Sequence, residues 1–277
     1  MDVILITGYK GFIGKNIYRQ YQNRVSVKLI GLDSDYLSND NWDNILINLL
    51  NQHKPDIIFH IGACSDTMEN DVNYMMIRNY ESTKIITDWA VCHDTKLIYS
   101  SSAANYGIND RYPSNLYGWS KYVAEKYVVQ NGGLALRYFN VYGPGEEHKG
   151  KMASVAYQMY LKNSKGENIK LFPNKPKRDF IYIDDVISAN MFALENYIEL
   201  KGKFYDVGSG SARSFEDVMC ILGIEYTYED ESSIPEGYQF FTCSDVTKFM
   251  KFWRPKYTLE EGLNDYKDYL NERNSNR

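Results

Sequence analysis

The stretch VILITGYKGFIG, residues 3–14, decides the fold. Its first five residues form a continuous apolar run, which is too short for a helix and suits a strand that is buried on both faces. Gly8, Gly11 and Gly14 follow at G-x-x-G-x-x-G spacing, before a segment of helical length. A strand, a glycine-rich turn and a helix in this order set backbone N–H groups beside a bound pyrophosphate. The stretch therefore predicts a dinucleotide site, and the alternative is a glycine-rich turn in a nonbinding α/β domain.

Further short apolar runs recur along the first half of the chain. They predict strands at 27–32, 57–61, 97–100 and 134–137, and segments of helical length lie between them, such as 13–23 and 79–92. Strands that alternate with helices are typical of the α/β class. We therefore expect a Rossmann-like, doubly wound parallel sheet.

The pattern becomes less regular after about residue 144. Helices are predicted at 152–163 and 185–195, and short strand-like runs at 169–172, 180–183 and 205–208. This predicts a smaller C-terminal α/β domain that binds the substrate. We place the dinucleotide-binding Rossmann domain at 1–145, with about 179–210 returning to it, and the mainly substrate-binding domain at 146–277.

Composition excludes several classes of protein. The 277 residues are 44% hydrophobic and 24% charged, as in ordinary globular proteins, so disorder is not expected. A net charge of −5 opposes a nucleic-acid partner. The four cysteines form no C-x-x-C pair, so we expect neither a metal site nor a disulfide framework. No apolar run approaches the length of a membrane span and the N-terminus lacks a basic leader, so we expect a cytoplasmic protein without a membrane partner.

Acidic residues follow the second predicted strand. Asp33 lies 19 positions beyond Gly14, where a carboxylate accepts hydrogen bonds from the adenosine ribose hydroxyls. Asp33, Ser34 and Asp35 also place negative charge where the 2′-phosphate of NADP would lie, and residues 36–41 contain no Lys or Arg. The pattern favours NAD over NADP.

The fourth predicted strand ends in hydroxyl side chains, and a tyrosine–lysine pair follows it. The strand runs into SSSAANYG, residues 100–107, and Tyr117 and Lys121 come next at i,i+4 spacing in YGWSK. On a helix the two side chains face the same way, so the ammonium, together with the positive nicotinamide ring, can lower the pKa of the phenol and make it a general base. A strand hydroxyl would hydrogen-bond the substrate alcohol.

The same Y-x-x-x-K spacing occurs elsewhere, since tyrosine is abundant in this chain. The further pairs lie on segments without a preceding hydroxyl-ended strand, so we interpret them as ordinary helix faces: Tyr80/Lys84, Tyr122/Lys126 and Tyr197/Lys201.

Taken together, these segments resemble the extended short-chain dehydrogenase/reductase family, in its NAD-dependent epimerase and dehydratase branch that acts on nucleotide sugars. The likeness spans nearly the whole chain and is carried by GYKGFIG, FHIGACSDT, YMMIRNY, YSSSAANYG, NLYGWSKY, RYFNVYGP, EEHKGKMASVAYQ, KLF, KRDFIYIDDV and GYQFFT. Within that branch, HKG followed by MASVA is the most specific feature and is similar to the ADP-heptose 6-epimerases. The resemblance implies a nucleotide-sugar substrate, an NAD or NADP cofactor and a homo-oligomer.

The resemblance also implies roles for individual residues. Catalytic roles fall to Ser102, Tyr117, Lys121 and, as a second acid/base, Lys149. Cofactor contacts fall to Gly8, Gly11, Phe12, Ile13, Gly14, Asp33, Ser34, Ala63, Cys64, Ser65, Asn79, Tyr117, Lys121 and Val141. Substrate contacts fall to Asn140, Lys151, Gln158, Phe172, Arg178 and Tyr238. From the residues alone, Lys149 and the basic loop 174–178 could equally be solvated charges, and Asp184 and Asp185 are expected to cap a helix rather than bind metal.

Departures from the family pattern leave alternatives open. Lys151 stands where a serine is expected and Gln158 where a histidine is expected, which leaves the sugar open. The family lysine that reaches a 2′-phosphate is not evident, so NAD is favoured and NADP stays possible.

A C4 epimerase or a reductase of the same family is the nearest rival. A dehydratase is disfavoured, because Ala103 and Ala104 replace its acidic pair. A cofactor-sensing protein without catalysis is the rival from a different class.

Overall fold

The computed structural model describes residues 1–107, 112–235 and 238–275. The chain divides into two compact units. The first unit consists of Met1–Arg137 and Ile187–Tyr205, and the second of Tyr138–Val186 and Asp206–Arg277.

A six-stranded sheet organises the first unit, in the order β2-β1-β3-β4-β5-β9. Its strands are β1 (Asp2–Thr7), β2 (Val27–Leu32), β3 (Ile57–His60), β4 (Lys96–Ser102), β5 (Leu134–Tyr138) and β9 (Phe204–Val207). The pairs of β1 with β2, β1 with β3 and β3 with β4 are parallel. Thr7 is level with both Leu32 and His60, so these strands end together at one edge of the sheet.

Helices follow the strands of the first unit. They are α1 (Phe12–Tyr21), α2 (Trp42–His53), α3 (Val72–Met76), α4 (Ser82–Cys92), α5 (Leu116–Gln130), α7 (Ile183–Glu195), which begins in the second unit, and α8 (Tyr197–Leu200). A π-helical turn, Ile77–Glu81, joins α3 to α4.

Burial on the sheet explains why these segments fold as they do. Leu46 and Leu50 of α2, Trp89 of α4 and Val128 of α5 pack with strand residues such as Ile58 in one apolar cluster. The strand residues of β3 are buried without alternation, as in a sheet covered on both faces. The prediction of an α/β, Rossmann-like parallel sheet is confirmed.

The second unit has two small sheets, in the orders β10-β8-β6 and β11-β7. Its further elements are β6 (Asn140–Tyr142), α6 (Val155–Ser164), β7 (Lys170–Leu171), β8 (Lys177–Tyr182), β10 (Ala212–Ser214), α9 (Phe215–Leu222), β11 (Thr227–Tyr228) and α10 (Leu259–Ser275). Helix α10 packs closely on the strands, as Gly262 shows: a Cβ at this position would overlap the hydroxyl of Tyr142.

One helix of the second unit begins later than predicted. The helix predicted at 152–163 begins only at Val155, because the side chain of Ser154 accepts a hydrogen bond from Tyr157 N and caps it. The segment that returns to the first unit is Ile187–Tyr205, and β8 pairs with β6 and β10 in the second unit. The dinucleotide-binding domain expected at 1–145 with about 179–210, and the substrate-binding domain expected at 146–277, stay predictions. Asp185 lies in the first turn of α7, and its carboxylate accepts hydrogen bonds from Lys256 N and Tyr257 N at 2.7 and 3.0 Å; its predicted role as a helix cap stays a prediction.

Within residues 1–107, 112–235 and 238–275, none of the helices combines the length and the apolar character that crossing a bilayer requires. The same ranges contain no group of three or more His, Cys, Asp and Glu side chains that could hold a metal ion.

Candidate active site

The glycine-rich turn between β1 and α1 brings backbone into close contact. Gly8 has a φ of +64°, and a Cβ there would lie 2.6 Å from Cα of Gly62. A Cβ at Gly14 would overlap the carbonyl oxygen of Gly8, which accepts a hydrogen bond from Gly11 N at 2.9 Å. Only glycine fits these positions, and the start of α1 at Phe12 follows directly. The turn therefore has the backbone shape of a pyrophosphate cradle.

The end of β2 carries the acidic group predicted for the adenosine half. The carboxylate of Asp33 accepts a hydrogen bond from Ser34 N at 2.9 Å. Lys10, in the glycine-rich turn, places its Nζ 3.5 Å from Asp33 and 3.7 Å from Asp35. Residues 36–41 supply no cation, but the glycine-rich turn brings Lys10 back to the end of β2.

Asn79 fixes the loop that follows β3. It is buried, and its Oδ1 accepts from Cys64 N at 2.7 Å while its Nδ2 donates to Cys64 O and to Ser120 Oγ, both at 2.9 Å. This amide therefore positions the loop of Ala63, Cys64 and Ser65. A direct contact of Asn79 with a cofactor stays a prediction.

Ser102, Tyr117 and Lys121 lie together in the first unit. Ser102 ends β4, and its Oγ accepts a hydrogen bond from Ala104 N at 3.1 Å. Asn115 caps α5, which places Tyr117 in the first helical turn and Lys121 one turn later. The side chains of Ser102 and Tyr117 are hydrogen-bonded to each other. The Nζ of Lys121 is buried 4.3 Å from the ring centroid of Tyr99.

Burial dominates the pKa values of this group. Burial raises the pKa of Tyr117, and the hydrogen bond with Ser102 acts to lower it. Burial also lowers the pKa of Lys121 to about 7, against the opposing charge of Glu125. Burial is the largest of these influences on Tyr117, and the prediction that Lys121, together with the positive nicotinamide ring, lowers the pKa of this phenol stays a prediction.

A buried ion pair supports this group from behind. Glu125, one helical turn after Lys121, accepts two hydrogen bonds of 2.6 Å from Arg137. It also accepts from Ser101 Oγ at 2.6 Å and from Asn105 Nδ2 at 3.0 Å. Ser101 directly precedes Ser102, so the pair fixes the end of β4. Sequence reasoning missed both charges, although the i,i+4 spacing of Lys121 and Glu125 was visible.

His60 links the sheet edge to the glycine-rich turn. Its Nδ1 lies 2.7 Å from Thr7 Oγ1 and its Nε2 lies 2.8 Å from Thr83 Oγ1. The hydroxyl of Thr83 donates a hydrogen bond to Asn79 O, so its oxygen accepts a hydrogen bond from Nε2–H of His60. Nδ1 of His60 is then the acceptor, and the hydroxyl of Thr7 donates to it. Burial lowers the pKa of His60 to about 3, so the ring is neutral. Thr7 also accepts from Gly62 N at 2.9 Å and so fixes the close approach to Gly8.

Side chains of the other tyrosine–lysine pairs make contacts with structural neighbours. Lys84 forms an ion pair of 2.7 Å with Asp88, and Lys126 lies 5.2 Å from the ring centroid of Tyr122. The hydroxyl of Tyr197 accepts a hydrogen bond from Leu97 N at 3.0 Å. These contacts fit the interpretation as ordinary helix faces.

In the second unit, Arg178 lies among aromatic rings. Its guanidinium carbon lies 5.4 Å from the ring centroid of Tyr238 and 5.6 Å from that of Phe215. Tyr238 packs edge-on to Phe172 at 5.1 Å. Burial lowers the pKa of Arg178, while Tyr238 raises it. The structure therefore brings Phe172, Arg178 and Tyr238 together, as a cation held by aromatic faces.

The remaining predicted residues of the second unit lie at two places. Lys149 is partly buried near Glu146; burial lowers the pKa of Lys149 and Glu146 raises it. Gln158 Nε2 donates to Lys151 O at 3.1 Å and to Ala153 O at 2.7 Å, so this amide holds the loop that carries the exposed Lys151.

Asn140 and Val141 lie in β6. Asn140 Nδ2 donates to Asp179 O at 3.0 Å, and Val141 pairs with Ile181 of β8. Their predicted contacts with substrate and cofactor stay predictions.

The fold of the first unit and its Ser102–Tyr117–Lys121 group define the class of short-chain dehydrogenase/reductase enzymes. The chain belongs to the NAD dependent epimerase/dehydratase family, whose sequence profile matches residues 4–208.

Comparison with individual proteins agrees with this assignment. The chain is 34% identical to an ADP-L-glycero-D-manno-heptose-6-epimerase of Brachyspira hyodysenteriae, over 97% of this chain and 98% of that protein. The crystal structure of the Helicobacter pylori ADP-L-glycero-D-manno-heptose-6-epimerase is 30% identical and superposes with a TM-score of 0.84, over 98% of this chain and 96% of that one. The UDP-glucose 4-epimerase of Thermotoga maritima, 23% identical over 98% and 99% of the two chains, shares the fold with a TM-score of 0.85.

Proposed function

We propose that the protein is a nucleotide-sugar epimerase that inverts C6″ of ADP-glycero-manno-heptose by transient oxidation of the secondary alcohol to a ketone. The observation that carries the proposal is the hydrogen-bonded Ser102–Tyr117 pair with the buried Lys121 one helical turn away. The relatives that bear this enzyme's name match almost the full chain, which supports the choice of sugar.

The residues of the first unit fit a dinucleotide. At Gly8 and Gly14 of the glycine-rich turn a Cβ would clash with the backbone, so the turn keeps the close backbone approach that a pyrophosphate requires. Asp33 directly follows β2, at the place where the ribose would lie. Bound NAD supplies a hydride acceptor at the sugar carbon and later returns the hydride. NAD is favoured over NADP, because Asp33 and Asp35 outnumber the single Lys10 beside them.

Proton transfer falls to the chain's own side chains. Tyr117 removes the proton of the C6″ hydroxyl as that carbon loses its hydride, and Ser102 orients the hydroxyl by a hydrogen bond. After the carbonyl group rotates, the oxygen is reprotonated from its new direction. Lys149 is the second acid/base, since one group does not serve both orientations, and its lowered pKa suits that task.

Arg178 is the group that binds the diphosphate of the substrate. A guanidinium forms bidentate hydrogen bonds with phosphate oxygens, and Tyr238 and Phe172 add aromatic faces for the nucleotide end. Asn140, Lys151 and Gln158 are further substrate contacts in this proposal. We expect a cytoplasmic homo-oligomer without a nucleic-acid partner.

The experiment compares Tyr117→Phe with Tyr122→Phe, a matched control on the same helix. ADP-heptose and several hexose nucleotides are incubated with each protein, and the epimers are separated. Tyr117→Phe should lose about 10²- to 10⁴-fold in turnover because it lacks the acid/base, yet it should bind NADH like the wild type. Tyr122→Phe should remain active.

Three outcomes contradict parts of the proposal. Unchanged turnover of Tyr117→Phe refutes the base assignment. Inversion of a hexose nucleotide alone identifies a C4 epimerase, and steady oxidation of NADPH identifies a reductase. Binding of dinucleotide without conversion of any sugar nucleotide indicates a cofactor-sensing protein.

A further inference from the structure

Arg78 lies at an irregular place in its helix. It belongs to the π-helical turn Ile77–Glu81, between α3 and α4. An extra residue in a helical turn redirects the side chains around it, and such turns occur frequently at functional sites. The guanidinium carbon lies 4.1 Å from the ring centroid of Tyr74, which holds the group in one orientation.

Two nitrogens of this guanidinium are buried. Nε and Nη1 of Arg78 have no hydrogen-bond partner among the residues that the structure describes. An arginine carries five N–H donors and always a positive charge, so unpaired donors removed from water are unfavourable. Each of these two nitrogens can donate a hydrogen bond to an oxygen of an anion.

The neighbourhood of Arg78 is the adenosine half of the dinucleotide site. Its charge acts on Tyr36, which follows Asp33 at the end of β2, and on Cys64, which follows β3. Both strands end at the sheet edge on which the glycine-rich turn lies. The acidic groups of this half, Asp33 and Asp35, already face Lys10.

We propose that Arg78 binds a phosphate group of the dinucleotide. The inference rests on the cofactor of the proposed function and adds a ligand to that site. Two phosphates share this chemistry: the pyrophosphate, which NAD and NADP both carry, and the 2′-phosphate, which only NADP carries. Tyr74 positions the guanidinium for either of them.

The experiment measures dinucleotide binding, independently of turnover. NADH and NADPH are titrated into wild type, Arg78→Gln, Arg78→Lys and Arg24→Gln, and the Kd of each is read from nicotinamide fluorescence. Arg24→Gln is the matched control, because Arg24 also stacks on a tyrosine, 4.8 Å from the ring centroid of Tyr21. Circular dichroism establishes that each variant is folded.

Loss of a charge-assisted hydrogen bond should raise the Kd of Arg78→Gln about 10- to 100-fold, with Arg24→Gln unchanged. The Kd of Arg78→Lys should lie between that of the wild type and that of Arg78→Gln. If Arg78→Gln does not fold, an increased Kd of Arg78→Lys tests the proposal in its place. A loss for both dinucleotides assigns the pyrophosphate, and a loss for NADPH alone assigns the 2′-phosphate.

A wild-type Kd for both dinucleotides in folded Arg78 variants overturns this inference and leaves the proposed function intact. Wild-type protein that binds neither dinucleotide overturns the cofactor proposal itself, and the inference with it.

Discussion

Replacing Glu125 by glutamine should destabilise the protein strongly although the shape of the side chain is kept. The carboxylate accepts hydrogen bonds from Arg137, Ser101 and Asn105, and both members of the ion pair are buried. Glutamine offers a single acceptor oxygen and turns two N–H donors toward these donors. Arg137 then keeps a buried charge without a counterion.

The magnitude follows from that unpaired charge. Removing one member of a buried ion pair costs about 3–5 kcal/mol. For a chain of this length, about 2–4 °C are lost per kcal/mol, so the melting temperature should fall by roughly 6–20 °C. Arg137 also stacks 3.7 Å from the ring centroid of Phe204, which prevents the guanidinium from reaching water easily.

The assay is thermal and urea unfolding of Glu125→Gln beside Glu199→Gln, an exposed control. The double variant Glu125→Leu/Arg137→Met completes the series. Since apolar residues of similar volume replace both charges there, it should be less destabilised than Glu125→Gln. A Glu125→Gln melting temperature within about 2 °C of the wild type would refute the reasoning, as would a double variant less stable than the single one.

Two further variants test the turn and the lysine. Gly14→Ala should abolish dinucleotide binding, because its Cβ would overlap Gly8 O, whereas Gly132→Ala, in open space, should bind like the wild type; equal binding by both would contradict the packing argument. Lys121→Met should lose activity yet be more stable at pH 7. Because the pKa of Lys121 is lowered to about 7, burying this amine reduces the free energy of unfolding of the wild type. This destabilisation is complete below pH 7 and disappears above the ordinary lysine pKa. The stability gain in urea unfolding should therefore shrink by about 2 kcal/mol between pH 7 and pH 9, and a gain independent of pH would contradict it.

Local patterns predicted the parts of the structure that local sequence determines. The strand that precedes Gly8, the spacing of the three glycines and the pair Tyr117/Lys121 are all contiguous features, and each is found where expected. The start of α6 was placed too early, since the cap at Ser154 outweighs apolar periodicity.

Contacts between distant residues were not predictable in this way. Glu125 meets Arg137 only because α5 packs on the sheet, and Lys10 reaches Asp33 only because the glycine-rich turn folds back. The π-helical turn that presents Arg78 has no signature in apolar spacing. Burial, which is the largest influence on the pKa of Tyr117 in this structure, is likewise a property of the packed chain.

The surroundings of Lys121 explain how a buried amine suits proton transfer. Glu125 raises its pKa, but that carboxylate is already committed to Arg137, so the lysine has only part of a counterion. His60 adds no charge, because its own pKa is lowered to about 3. A fully paired lysine would hold its proton at every physiological pH, and an unpaired one would never gain it. With a pKa of about 7, Lys121 exchanges its proton at small free-energy cost, one helical turn from the phenol that must lose and regain one.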